Sequence, residues 1–185
     1  NKHVMKNLSY LIFVVVLLMK LVACNSVGRE YERLAGSRIA FPENLQRVSE
    51  RDTLSFDCDD SKVRLLIYFD STMCHSCAIS KLDDWGSIID SAKLINSDFE
   101  AIFLLSPSHL EYKKVLREMM LQPSEYNIVL DSHNEFPKHN PHIPKDTRFH
   151  TMLLDKKNRV IVVGSPLYNP SIWNLTKEML KELNK

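Results

Sequence analysis

The tetrapeptide Cys74-His75-Ser76-Cys77 follows closely on a nearly continuous apolar run, Val63–Phe69, and opens a stretch with helical periodicity. That join constrains the fold more than any other feature of the chain. A continuous apolar run is what a strand covered on both faces requires. Beyond the cysteines, Ala78, Leu82, Trp85, Ile89 and Ala92 recur at spacings of 4, 3, 4 and 3, with Asp83, Asp84 and Asp90 off that face, which is one side of a helix. The cysteines therefore sit at a strand-to-helix turn. The first thiol meets the exposed amides of the helix start, whose partial positive charge favours a thiolate. The second lies one turn later on the same side, close enough to resolve a mixed disulfide.

The N-terminal segment speaks to the compartment. Lys2 and Lys6 precede an apolar run, Leu8 to Met19, which is short for a bilayer span. It leads into Leu21-Val22-Ala23-Cys24, the lipobox pattern of bacterial lipoproteins, in which the cysteine is acylated and becomes the new N-terminus. The expected division is a signal peptide over 1–23, a lipidated tether over 24–36 and a globular domain over 37–185. Several acyl chains on Cys24 give stable membrane attachment. Asn25 follows Cys24, so the aspartate that often retains lipoproteins at the inner membrane is missing. The expected location is the bacterial cell envelope, extracytoplasmic and periplasm-facing, where disulfides persist.

Cleavage before Cys24 leaves 162 residues, enough for one domain with a substantial core. Loss of Lys2, Lys6 and Lys20 lowers the basic count from 24 to 21 against 23 acids, a net charge of −2. That excludes the basic face a nucleic-acid partner needs. With Cys24 acylated, Cys58, Cys74 and Cys77 remain, a pair and an odd thiol, which suits a redox site better than a disulfide scaffold. Flanking Asp57 and Asp59 make Cys58 a poor nucleophile.

Weak strand signals around Ile39-Ala40-Phe41 and over Asp52 to Phe56 suggest an N-terminal extension packed on the sheet. Phe99 to Leu105 reads as a second buried strand and Asn127 to Asp131 as a third. Ser108 and Glu111 have the spacing of a capping box, opening a helix with Tyr112, Val115, Leu116, Met119 and Met120 inward and Pro123 at its end. Ser132 to Arg148 reads as a loop with one helical turn. His150 to Asp155 and Arg159 to Gly164 read as a hairpin. Asn169-Pro170 caps a last helix with Ile172, Leu175, Met179 and Leu183 inside. Trp85 and Trp173 should pack against the sheet.

The order β-α-β-α-β-loop-β-β-α, with a cysteine pair opening the first of these helices, resembles the thioredoxin fold. More closely it resembles membrane-tethered extracytoplasmic thiol–disulfide oxidoreductases of the TlpA/ResA type. The resemblance rests on Leu65–Phe69 leading into Cys74 and Cys77, on Ile128–Asp131, and on Thr151–Asp155 with its hairpin return. It implies an α/β thioredoxin-like domain whose central mixed sheet is flanked by helices. It further implies Cys74 as nucleophile, Cys77 as resolving thiol, protein thiols and disulfides as substrates, a membrane thiol as electron donor, and no cofactor.

The chain departs from that pattern at several positions. The cis-proline usually found just before the strand facing the pair falls at about Phe149, and Pro144 lies upstream. Met73 replaces the aromatic residue common before the first cysteine, and Tyr68 replaces the polar or acidic residue often buried beneath the pair. Asp70 lies near. A protonated His75 beside the sulfur would add to the thiolate shift, with Ser76 completing the intervening pair.

The residues also fit other readings. A non-catalytic lipoprotein would bind a partner through the groove that the missing proline leaves open. An inert disulfide would hold the helix start. Copper binding would recruit His75 and one of His133, His139, His142 or His150 to the two sulfurs. A peroxiredoxin needs a proline seven residues and a threonine three residues before its cysteine. Those positions hold Ile67 and Ser71 for Cys74, and Asp70 and Cys74 for Cys77.

Overall fold

The computed structural model describes residues 27–48, 52–59, 61–121 and 126–184. The expected signal peptide and Cys24 lie outside the described residues, as does Pro123. Residues 27–34 form helix α1, and a compact unit runs from Leu34 to Lys185. Among the described residues no helix is long and apolar enough to cross a membrane.

The sheet has seven strands in the order β2-β1-β5-β4-β3-β6-β7. Its centre is β3 (Val63–Phe69), β4 (Phe99–Leu105) and β5 (Asn127–Leu130), paired in parallel. These are the segments that read as continuous apolar runs, because a parallel strand with helices on both faces buries every side chain. The hairpin β6 (Thr151–Leu154) and β7 (Val160–Val163) adds antiparallel to β3. Its turn places Asn158 at φ 60°, and the Asp155 carboxylate accepts from the Lys157 and Arg159 amides. On the other side β1 (Gln46–Val48) pairs antiparallel with β5, and β2 (Thr53–Ser55) with β1.

Alternation along β3 divides the core. Val63, Leu65 and Ile67 join one apolar cluster with Ile89 of α3 (Gly86–Ile95) and Leu180 of α6 (Pro170–Glu182). Tyr68 turns the other way, onto Phe136 of α5 (Glu135–His139), ring centroids 4.9 Å apart. Arg64, fully buried on that strand, faces its register neighbour Glu100 on β4, Nε to carboxylate 2.8 Å. Trp85 is buried edge-on to Phe103 at 5.9 Å. Trp173 is half-buried, with the Lys177 ammonium 5.5 Å from its ring.

Four local expectations change. Ile39-Ala40-Phe41 is not a strand; Arg38 makes an isolated bridge to Arg159, and the strands of the extension form at Gln46–Val48 and, within the expected Asp52 to Phe56, at Thr53–Ser55. The helix after the cysteines is broken into α2 (His75–Ile79), a 3-10 turn at Leu82–Trp85, and α3. At the break the Ser80 hydroxyl donates to the Cys77 carbonyl, 3.0 Å, a local bond that competes with helix continuation. Helix α3 starts on Gly86, where a Cβ would stand 3.2 Å from the Tyr126 hydroxyl. The Ser108 hydroxyl donates to the Glu111 carboxylate rather than capping an amide, and α4 (Tyr112–Leu121) starts after it. Asn169 does cap α6, its carbonyl accepting from Ser171 at 2.9 Å. The buried face of α6 is Thr176 and Leu180, with Leu175 turned to solvent.

Candidate functional site

Strand β3 ends at Phe69, and residues 70–73 turn the chain into α2. The Asp70 carboxylate accepts from the Thr72 amide at 2.8 Å and from its hydroxyl at 2.6 Å. Asp70 therefore shapes the turn. It is not among the residues around the sulfurs. Cys74 is the N-cap of α2 and is bonded to Cys77, Cα atoms 5.3 Å apart. The Cys77 amide donates to Cys74 Sγ at 3.2 Å. The first sulfur thus occupies the place where a serine or aspartate oxygen would cap a helix. Helix α2 spans five residues, so this single amide matters more than a summed helix dipole. Both cysteines are exposed.

The disulfide lines a cleft of about 630 Å³, together with residues of β3, α2 and β6 and the start of α6. Ile67, Phe69, Met73, Ala78, Trp85 and Ile172 make its walls mainly apolar, and Lys81 and Arg148 add cations. Met73 and Tyr68, two of the residues expected at the site, belong to this wall. His75, Ser76, Asp70 and Phe149 do not. The wall residues on α6 carry no local motif, so only the fold brings them to the cysteines.

His75 corrects the expectation of a protonated neighbour to the sulfur. It is 2 % exposed and shares the inward face of α2 with Ile79; the spacing His75, Ile79, Leu82 is itself an apolar helical face. Its ring nitrogens make no well-formed hydrogen bond. Burial pushes its pKa below the usual 6.5, and the Phe69 carbonyl offsets this only in part. A group with a depressed folded-state pKa contributes stability above its unfolded value and loses it as pH falls. Because leucine removes two buried ring nitrogens that lack well-formed partners, His75→Leu should raise the midpoint of thermal unfolding at neutral pH. With roughly 1 kcal/mol from the removed unpaired polar group, the rise is about 3 °C. The same substitution should reduce the loss of stability below pH 6.5 and leave the alkylation rate of Cys74 unchanged. A drop in that rate would restore His75 as a tuning group.

Tyr68 is buried, and burial pushes its pKa up to about 12. It is a neutral phenol at physiological pH, so no carboxylate-like acceptor sits beneath the pair. Asp131 is fully buried but committed: its carboxylate accepts from Ser106 at 3.0 Å and from the Glu135 and Phe136 amides that open α5.

At the entrance to β6 the chain makes a 3-10 turn, Thr147–Phe149, held by the Asp146 carboxylate on the Arg148 amide. Phe149 is buried and lies outside the cleft lining, so it does not cover the sulfurs. Among the described residues there is no cis peptide. The residue that leads into β6 is His150, whose carbonyl accepts from the Tyr68 amide at 2.9 Å. Its ring lies 5.0 Å from that of Tyr68 and lines the cleft. Cys58 is elsewhere, with Sγ 3.6 Å from Asn158 Nδ2 on the hairpin turn.

Solved structures share the fold. The fold is similar to that of a Chlorobium tepidum chain assigned as thiol:disulfide interchange protein DsbE, TM-score 0.52 and 12 % identity over 82 % of this chain and 98 % of that one. It is similar to a Bacteroides thetaiotaomicron chain assigned as a protein disulfide isomerase, TM-score 0.50 and 18 % identity over 81 % and 89 %. It is also similar to an Aquifex aeolicus chain assigned as an electron transfer protein, TM-score 0.50 and 11 % identity over 80 % and 95 %. No protein-family model matches the sequence. No curated protein matches it either. The fold is thioredoxin-like.

Proposed function

We propose that this chain is an extracytoplasmic thiol–disulfide oxidoreductase, held to the membrane by lipid on Cys24, in which Cys74 attacks and Cys77 resolves. The observation that carries the reading is the exposed Cys74–Cys77 disulfide, with its first sulfur accepting a helix amide in the lining of an apolar cleft. An inert structural disulfide has no use for that exposure or for the cleft. The apolar walls fit the side chains that flank a cysteine in a protein substrate. A membrane tether suits electron supply from a membrane thiol carrier, so the direction we assign is reduction of substrate disulfides.

The test is the reduction potential of the pair in the full chain, equilibrated in glutathione buffers and read by thiol trapping. Thioredoxin-fold proteins span about −270 to −120 mV, and the expected value lies at the reducing end. A value near −120 mV would keep the enzyme and reverse its direction, whereas thiols no more reactive than free cysteine would sink the reading. In cells fed labelled palmitate, the chain should take up label and Cys24→Ala should not.

A further inference from the structure

Resolution of a mixed disulfide needs a base. Once Cys74 is joined to a substrate sulfur, the Cys77 thiol must lose its proton before it attacks, and an unperturbed thiol of pKa ~8.5 is only a few per cent ionised at pH 7. The groups near the pair are mostly unable to accept that proton. The Tyr68 phenol stays protonated, and neither Asp70 nor Asp131 lines the cleft. His75 lies outside the cleft.

His150 is different. It is 2 % exposed and forms part of the same cleft wall as both cysteines. Its Nε2 lies 2.9 Å from the Pro144 carbonyl oxygen, which only accepts, so Nε2 carries the hydrogen and Nδ1 the lone pair. That Nδ1 is buried and has no hydrogen-bond partner. A buried acceptor left unpaired is costly, and a proton-accepting role explains that cost. The Tyr68 ring packs on the His150 ring, the Asp146 carboxylate interacts with it electrostatically, and Arg148 and Lys81 line the same cleft.

We propose that His150 takes the proton from Cys77 during resolution. The assignment rests on the oxidoreductase reading. In the first step the Cys74 thiolate attacks one sulfur of a substrate disulfide, forming a new S–S bond and releasing one substrate thiolate. In the second, the Cys77 proton passes to His150 Nδ1. The Cys77 thiolate then attacks Cys74 Sγ and expels the second substrate thiolate, which takes the proton from the imidazolium. Two electrons leave the cysteine pair and reduce one disulfide to two thiols.

The reduced full chain mixed with 5,5′-dithiobis(2-nitrobenzoate) separates these steps, because each attack releases one coloured thiolate. In His150→Gln the first release should keep its rate. The second should slow by roughly 10²-fold at pH 7 and recover as pH rises into the thiol range. His150→Asn should behave likewise. In the unmutated protein, long-range ¹H–¹⁵N spectra should show the Nε2–H tautomer. An unchanged second release, equal slowing of both releases, or an Nδ1–H tautomer would overturn the assignment. If neither release in the unmutated protein outpaces free cysteine, the oxidoreductase reading itself fails.

Discussion

Exchanging Cys77 for serine is expected to turn the protein into a trap that accumulates as a covalent adduct with its substrates, while Cys74→Ser forms no adduct. The geometry sets both outcomes. Cys74 is the exposed capping residue, its sulfur 3.2 Å from the Cys77 amide, a donor that stays in place when the side chain at 77 changes. The thiolate is therefore still supported in Cys77→Ser, and the first attack proceeds. What is lost is the internal second thiol. Oriented intramolecular attack has an effective molarity of order 10⁵ M or more. Release by millimolar external thiol should therefore be slower by about 10⁸-fold. Non-reducing electrophoresis of Cys77→Ser from cells should show mixed-disulfide bands that collapse on reduction. Their appearance in Cys74→Ser instead would exchange the two roles.

The second large effect lies at the far end of β3. Arg64→Met should cost about 3–5 kcal/mol, as removal of one partner from a buried ion pair generally does. The midpoint of thermal unfolding should then fall by roughly 10 °C. Arg64 is wholly buried and faces Glu100 across the parallel ladder. Its Nη1 also donates to Asn158 Oδ1 at 2.9 Å, and Nη2 donates to the Asp59 carbonyl. Methionine fills the space but leaves those acceptors without their donor. Adding Glu100→Met should recover part of the loss, because an apolar pair of similar volume removes the unpaired charge. A double variant no more stable than Arg64→Met would show that Asn158 and Asp59, not Glu100, carry the effect. The potential of the cysteine pair should not change in either variant.

Legibility in the sequence followed how far a residue's neighbours are set by its own segment. The strands β3, β4 and β5 announce themselves because full burial leaves almost no polar residue in them. The three-residue strand β1 does not, and β2 shows only the weak signal over Asp52 to Phe56, since short, partly exposed strands need little apolar pattern. Leu82, Trp85, Ile89 and Ala92 face the core as their spacing predicts. The break into a 3-10 turn is invisible to that spacing, because the same face is kept through it. The cysteine pair was legible for the same local reason. His150 entered only as one of several possible metal ligands. Its place in the cleft depends on a turn, Thr147–Phe149, and on the β6–β3 pairing, neither of which its neighbours in sequence encode.

The order of strands also bears on how the chain assembles. The ladder β3–β4–β5 joins elements linked by single helical crossovers, whereas Gln46 of β1 pairs with Leu130 of β5, across most of the domain. Closing so long a loop is entropically expensive, as it is for the β3–β6 pairing. During synthesis from the N-terminus, β1 and β2 emerge first and have no edge to join until β5 exists. The hairpin that is earliest in the chain therefore waits as an open edge until β5 has been made.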